Sequence, residues 1–225
     1  MRLVLLGIPG AGKGTQGALL SDRYHIPAIS TGAILREAVQ QGSAIGELAS
    51  RYINRGQLVP DEVISQLVAS RLREDDCRQG FLLDGFPRTL PQARLLQRLL
   101  RKLGTELDVA VDIVVSPEVA VERIAGRLIC RRCGRTFQLR DFPAHGPWFC
   151  PACGGELTRR SDDTVQTARE RIAVYLIQTR PVAEYYQAQG ILHSVNGELE
   201  IEQTFQQIVQ KLDVLNDHFE ECTGD

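Results

Sequence analysis

The 225-residue chain has no run of about 18 apolar residues, which excludes a membrane-spanning helix of ordinary length. It has no excess charge of either sign. Its 26 Lys and Arg stand against 28 Asp and Glu, so nothing global steers it to nucleic acid or an anionic membrane. It shows no internal repeat and no low-complexity segment. With 43% hydrophobic and 24% charged residues, it is not a disordered chain, a collagen or a coiled coil. The opening MRLVLLGIPGAGKG has only the short apolar run Leu3–Leu6 and no cleavage-type site, so no signal peptide is expected. A cytoplasmic, reducing location follows, where paired cysteines read as metal ligands before disulfides. What the chain does have is enough length for one large domain with a small insert and a sizeable core.

Five apolar runs read as buried strands: Leu3–Leu6, Ile26–Ile29, Phe81–Asp84, Val109–Val115 and Ile191–Val195. Helical faces lie between and after them. Val63, Ile64, Leu67, Val68 and Leu72 share one. Leu95, Leu96, Leu99, Leu100 and Leu103 share another. Ile201, Phe205, Ile208, Val209, Leu212 and Leu215 make a third, beyond which the tail reads as frayed. Strands alternating with helices predict an α/β fold with a parallel five-stranded sheet covered on both faces. Ligands of such sheets sit beyond the C-terminal strand ends. Two segments interrupt the alternation: a helical stretch over 30–60, and a Cys-, Arg-, Gly- and Pro-rich stretch over 128–159.

Gly7-Ile8-Pro9-Gly10-Ala11-Gly12-Lys13-Gly14-Thr15 follows the first strand and opens a helix, the context of a phosphate-binding loop. Glycines let backbone N–H groups turn inward around phosphate oxygens, and the helix N-terminus adds partial positive charge. Lys13 can reach the outer phosphates as a mobile point charge. Gly14 stands where such loops usually carry a Ser or Thr ligand to Mg²⁺, and Thr15 comes one step later. Asp84, closing the third strand, either positions Mg²⁺ or its waters, or caps a turn. Arg88 follows from a turn stiffened by Pro87.

The spacing Cys130-x₂-Cys133-x₁₆-Cys150-x₂-Cys153 fits a four-thiolate site, with glycine after each pair. Four thiolates suit tetrahedral Zn²⁺, with iron the alternative. They leave no open position, so the metal is structural. A module of this size lacks an adequate core of its own, and metal binding supplies folding free energy of about 10–16 kcal/mol in comparable pieces. Trp148 and Phe149 are expected to pack inside it.

Phosphoryl transfer needs charge neutralised at several phosphates, and Arg36, Arg88, Arg123, Arg127, Arg160 and Arg171 are candidates. Each can equally be a surface charge or an ion pair. Asp162 and Asp163 are near enough to Arg160 to pair with it or to cap the helix that follows.

GIPGAGKGT at 7–15, STGAILR at 30–36, GFLLDGFPRTLPQA at 80–93, the Arg123–Arg127 pair, the four cysteines and RRSDD at 159–163 followed by Arg171 together resemble the adenylate kinase family, in its long-lid, zinc-containing bacterial form. The resemblance runs over roughly residues 1–215. It implies a P-loop NTPase-like core (1–29, 60–125 and 164–225), a monophosphate-binding insert over 30–59 and a zinc-stapled lid over 126–163. It implies reversible transfer of the γ-phosphoryl of MgATP to AMP, giving two ADP, in a cytoplasmic monomer. By position, Gly10, Ala11, Gly12, Lys13, Gly14 and Thr15 would hold ATP phosphates. Arg127, Thr136 and Phe137 would cover ATP, and Leu199 would meet its adenine through backbone. Thr31, Arg36, Gln57, Leu58, Val59, Gly85, Phe86, Pro87, Arg88 and Gln92 would hold AMP, with Gln92 reading the base. Arg160 and Arg171 would reach from the lid side toward AMP and the transferring group. Lys13 and Arg123 would stabilise the transition state, and Asp84 would serve Mg²⁺.

The chain departs from the family pattern at Ala33, where an aspartate is usual, and at Leu199, where a lysine is frequent. Two other functions remain open to the sequence: a kinase of UMP, CMP or GMP, and a nucleotide switch or zinc-ribbon nucleic-acid binder without transferase activity. The net charge of −2 and the arginine set argue against the second.

Overall fold

The computed structural model describes residues 1–222, with side chains through Val214. In chain order the elements of the first half are β1 (Arg2–Leu6), α1 (Lys13–Tyr24), β2 (Ala28–Ser30), α2 (Thr31–Gln40), α3 (Ala44–Ile53), α4 (Asp61–Arg71), β3 (Phe81–Asp84), α5 (Leu90–Lys102) and β4 (Val109–Val114). The second half adds α6 (Pro117–Ala125), β5 (Arg127–Cys130), β6 (Thr136–Gln138), β7 (Leu157–Thr158), α7 (Val165–Val174), α8 (Arg180–Ala188), β8 (Leu192–Asn196) and α9 (Ile201–Cys222).

The main sheet runs β2-β3-β1-β4-β8 and every pair in it is parallel. β1 lies at its centre because its residues are apolar on both pleat faces: Leu3, Val4, Leu5 and Leu6 are all buried. Val4 and Leu6 join a core cluster with Phe81, Leu83, Phe86 and Leu96, whereas Leu3 and Leu5 join Leu20, Leu82, Ile113 and Ile208. From β1 the chain crosses to β2 and β3 on one side, then to β4 and β8 on the other. Sheets of this kind bind ligands at the carboxyl edge where that direction reverses.

Local chemistry sets the helix starts. The side chains of Ser30, Ser43, Thr89 and Thr164 accept from the N–H groups of Ala33, Gly46, Gln92 and Thr167. The helical stretch between the second and third strands resolves into α2, α3 and α4. α7 and α8 form one near-continuous rod through a π-helical turn, Tyr175–Thr179, that ends beside Pro181. Ile172, before that turn, packs with one core cluster, and Val182 and Tyr186, after it, pack with the other.

Residues 127–158 contain a second, antiparallel sheet in the order β6-β5-β7. Its own core is small: Leu128, Cys130, Cys150 and Leu157, flanked by Phe137, Leu139, Phe142 and Trp148.

Several expectations shift. The second strand is Ala28–Ser30 rather than Ile26–Ile29, because Pro27 has no N–H to enter the ladder. Only its carbonyl takes part, accepting from Leu82. Leu103 lies beyond the end of α5 and is exposed, and Ile201 heads α9 with its side chain in solvent. Phe149 does not pack inside the small sheet. It is 56% exposed, because Trp148 and Cys150 on either side turn inward and extended backbone alternates. The backbone of α9 stays helical through Cys222, past the point where the tail was expected to fray, while the Leu215 side chain and residues 223–225 lie outside the described residues.

Leu82 is fully buried between β1 and α1, where its Cδ2 atom lies 3.3 Å from a Cβ built on Gly17. Leu82→Ala is expected to lower unfolding free energy by about 2–5 kcal/mol through lost burial and a residual cavity. Urea unfolding, read by circular dichroism at constant m, measures it.

Candidate active site

The loop between β1 and α1 is pulled tight by Ala11 N–H donating to the Ile8 carbonyl at 3.1 Å. Gly10 takes φ 90°, and a Cβ there would sit 2.6 Å from the Ala120 carbonyl oxygen, so only glycine fits. Gly12 precedes α1 and offers no side-chain cap, which leaves the first N–H groups of the helix for an anion. Lys13 Nζ donates back to the Gly7 carbonyl at 2.6 Å and the Ile8 carbonyl at 3.0 Å. Burial lowers its pKa to about 8, with Arg88 and Arg127 pushing the same way against Asp84 and Asp112. Thr15 Oγ1 lies 3.5 Å from Thr136 Oγ1, so the small sheet touches the phosphate-loop helix.

The carboxyl end of β3 stands beside this loop: Asp84 Oδ2 is 3.8 Å from the Cβ position of Gly14 and accepts from Ser30 Oγ at 3.3 Å. Thr31 Oγ1 and Arg88 Nε both donate to the Gly85 carbonyl, at 2.9 and 2.8 Å. Gly85 takes φ 81°, and a Cβ would meet Arg88 Nη2 and Thr31 Oγ1 at 2.9 Å, so glycine keeps the pair together. Phe86 and Val59 anchor their segments in the core, Leu58 is half-buried and Gln57 is exposed. Gln92, at 2% exposure, accepts from Arg88 N–H at 2.7 Å and donates to Asp61 at 2.6 Å.

Five of the six candidate arginines are linked in a chain of charge: Arg88 to Arg171, Arg171 to Arg36, and Arg36 and Arg127 to Arg160. Arg36 is lowered by burial and by Arg127 and Arg171. Arg88 is lowered by burial and by Arg171. Arg160 is lowered to about 10, first by burial and then by Arg36 and Arg127. The buried Arg160 Nε has no hydrogen-bond partner. Arg127 is held bidentately by Asp163, at 2.7 and 2.5 Å, and Arg171 pairs with Asp162. The two aspartates therefore hold these neighbours, not Arg160 as their proximity in sequence suggested. Burial alone would raise the Asp162 pKa, but Arg171 outweighs it and the net shift is downward. Arg123 stands apart: its Nη1 donates to the Gly197 carbonyl at 2.8 Å. The loop it meets is fixed by Ser116 N–H donating to Glu198 and by Thr204 Oγ1 donating to the Asn196 carbonyl, with Leu199 half-buried just beyond.

Sequence reasoning missed Asp61 as the partner of Gln92, and Asp112, which flanks Lys13 from β4 and whose carboxyl is raised by burial. A polar residue inside an otherwise apolar strand is the signal for Asp112. Asp61, after Pro60 at a helix start, reads only as a favourable first-turn acid.

The Sγ atoms of Cys130, Cys133, Cys150 and Cys153 all lie within 4.8 Å of one another. Cys130 and Cys153 approach to 3.5 Å and Cys133 and Cys150 to 3.7 Å, and none forms a disulfide. Four sulfurs about 2.3 Å from one tetrahedral ion would be spaced at about 3.8 Å, so the cluster fits zinc. The N–H groups of Arg132 and Cys133 point at Cys130 Sγ, as donors to a thiolate do.

The adenylate kinase family model matches residues 5–191. Relatives named adenylate kinase include one from Alkaliphilus oremlandii, 48% identical over 212 residues that cover 94% of this chain and 98% of its own. One from Desulfitobacterium hafniense is 48% identical over 213 residues, covering 95% and 98%. One from Archaeoglobus fulgidus is 47% identical over 208 residues, covering 92% and 96%. A phosphate loop facing a buried arginine cluster, matched over nearly its whole length at this identity, means that the chain belongs to the adenylate kinase family.

Proposed function

We propose that the chain reversibly transfers the γ-phosphoryl of MgATP to AMP, giving two ADP. The observation that carries this reading is buried positive charge in want of anions: Arg36, Arg88 and Arg160 are all desolvated, and Arg160 Nε has no partner. Desolvated guanidinium groups are stabilised by phosphate oxygens, which accept in the bidentate geometry they offer.

ATP phosphates lie in the N–H cradle of Gly10 to Thr15. Lys13 exchanges its Gly7 and Ile8 carbonyls for phosphate oxygens, at little cost because both its present partners are neutral. Arg127, Thr136 and Phe137 close over ATP, and the Thr15–Thr136 approach at 3.5 Å supports that closure. The ATP base rests on the Gly197–Leu199 backbone, which Arg123 and Glu198 hold still. Arg36 and Arg88 grip the AMP phosphate, and its base lies between Thr31, Gln57 to Val59, Gly85 to Pro87 and Gln92. Arg160 and Arg171 span the transferring group, with Lys13 completing the positive charge around it; Arg123, held on the Gly197 carbonyl, would have to leave it to join them. No general base is required, because positioning and charge stabilisation carry most of this chemistry. Magnesium, when bound with ATP, neutralises phosphate charge. Asp84 is the carboxylate that would hold its waters, since Ala33 offers none.

The division into core, monophosphate insert (30–59) and lid (126–163) follows from these roles. A lid that shuts only over both nucleotides keeps water from the transferring group. Zinc on the four cysteines stiffens that lid and does no chemistry. The protein acts as a cytoplasmic monomer, without nucleic-acid or membrane partners.

The deciding assay supplies Mg²⁺ and ATP with each nucleoside monophosphate in turn and measures the diphosphates formed. AMP is expected to turn over fastest. UMP, CMP or GMP turning over as fast or faster would overturn the assignment, as would salt-dependent RNA or DNA binding without ADP formation. In the free protein the lowered pKa makes Lys13 release its proton more readily than the unfolded chain does. Its contribution to stability therefore rises with pH between about 8 and the ordinary lysine value of 10.5. ATP affinity should weaken over the same window, by at most about tenfold per pH unit. Lys13→Met should flatten both trends in urea unfolding and calorimetric titration. Cys133→Ser should abolish stoichiometric zinc and lower Tm by at least about 5 °C. Metal analysis and a thermal scan check it, and full zinc with unchanged Tm would contradict the metal assignment.

A further inference from the structure

Gln92 has its amide held at both ends. Its Oε1 accepts from the Arg88 N–H at 2.7 Å, and its Nε2 donates to Asp61 Oδ1 at 2.6 Å. The second Asp61 oxygen accepts from Thr89 Oγ1 at 2.7 Å, and Thr89 Oγ1 in turn accepts from the Gln92 N–H at 3.3 Å, closing a ring. Asp61 is the first residue of α4 and Thr89 the N-cap of α5, so the ring ties two helix starts together.

We propose that Asp61 is the positioning residue that sets specificity for the adenine of AMP, by fixing which end of the Gln92 amide donates and which accepts. The proposal rests on the reading that Gln92 meets the base. Turned over, the amide would point its carbonyl oxygen at the Asp61 carboxylate and its NH₂ at the Arg88 N–H. Acceptor would face acceptor and donor would face donor. The ring therefore admits one orientation. A primary amide has two N–H donors and two lone pairs on oxygen, and the protein uses one of each. What remains is one acceptor on the Arg88 side and one donor on the Asp61 side. The edge of adenine carries an amino N–H beside a ring-nitrogen acceptor, the complement of that order. The edge of hypoxanthine carries a carbonyl beside a ring N–H, the reverse. A held amide accepts the first and leaves unpaired groups against the second, whereas a freely turning amide can serve either.

The test compares Asp61→Leu, Asp61→Asn and Gln92→Leu in the full chain, with AMP and IMP as acceptors and ATP as donor. Asp61→Leu should raise KM for AMP and narrow the AMP-over-IMP preference, each by about tenfold or more. Its kcat at saturating AMP and its KM for ATP should stay near the parent values. Asp61→Asn can accept from or donate to its neighbours, so it can tie the helix starts yet let the Gln92 amide lie either way, and should narrow the preference as Asp61→Leu does. If Asp61→Leu does not fold, Asp61→Glu, which retains the charge but displaces the carboxylate, is expected to lose selectivity in the same way. An unchanged preference in the Leu, Asn or Glu variant overturns the proposal. Gln92→Leu separates the two readings. If it raises KM for AMP while Asp61→Leu does not, only the role of Asp61 falls. If it leaves KM for AMP unchanged, Gln92 does not read the base and both readings fall.

Discussion

Positive charge partly withdrawn from water, with too few negative groups to match it, is the constraint around which the molecule is arranged. Lys13, Arg36, Arg88 and Arg160 all lose proton affinity to burial. Like charges in a medium of low polarity repel strongly, and a fold tolerates that only when other contacts hold the groups in place. Here the rigid parts are the parallel ladder of the sheet and the two turns at its carboxyl edge, one after β1 and one after β3. Both turns depend on glycine where no side chain fits, at Gly10 and Gly85. Positive charge gathered in this way costs free energy, which the surrounding packing offsets.

The acids around the site match this charge unevenly. Asp162 and Asp163 hold Arg171 and Arg127 by short ion pairs, so these two guanidinium groups are oriented before any ligand arrives. Arg36 and Arg160 have no such ion pair among the described residues, and Arg88 leans only on a carbonyl. The arrangement separates arginines held by a carboxylate from arginines without one among the described residues. The first kind gains geometry at the expense of charge, since each is partly neutralised. The second keeps its charge unpaired.

How much of this was legible in the sequence follows from how local each feature is. The glycine loop, the strand that feeds it and the paired cysteines are readable because each is defined by neighbours within a few residues. The three-stranded sheet that carries the cysteines was not, because its strands are only two to four residues long and bear no sustained period. The direction of Phe149 is illegible for the same reason: without a recognisable strand there is no alternation from which to read it. The second strand slipped because Pro27 looks apolar but cannot donate. Which arginines converge, and which acids they meet, depends on contacts that cross much of the chain. The ring of Asp61, Thr89 and Gln92 joins helices that are far apart in sequence, so no spacing announces it.

The rod made by α7 and α8 has a consequence for how the layers are joined. A π turn holds one more residue per hydrogen-bonded ring than an α turn, so every later side chain is set back by roughly 100°. Tyr175–Thr179 supplies that offset between Ile172, seated on one side of the sheet, and Val182 and Tyr186, seated on the other. In a uniform α-helix the side chains after the turn would point about 100° away from where they do. The wider turn lets one rod change its buried side as it passes the sheet, so the segment that carries Arg171 at one end is bolted to the opposite half of the core at its other end.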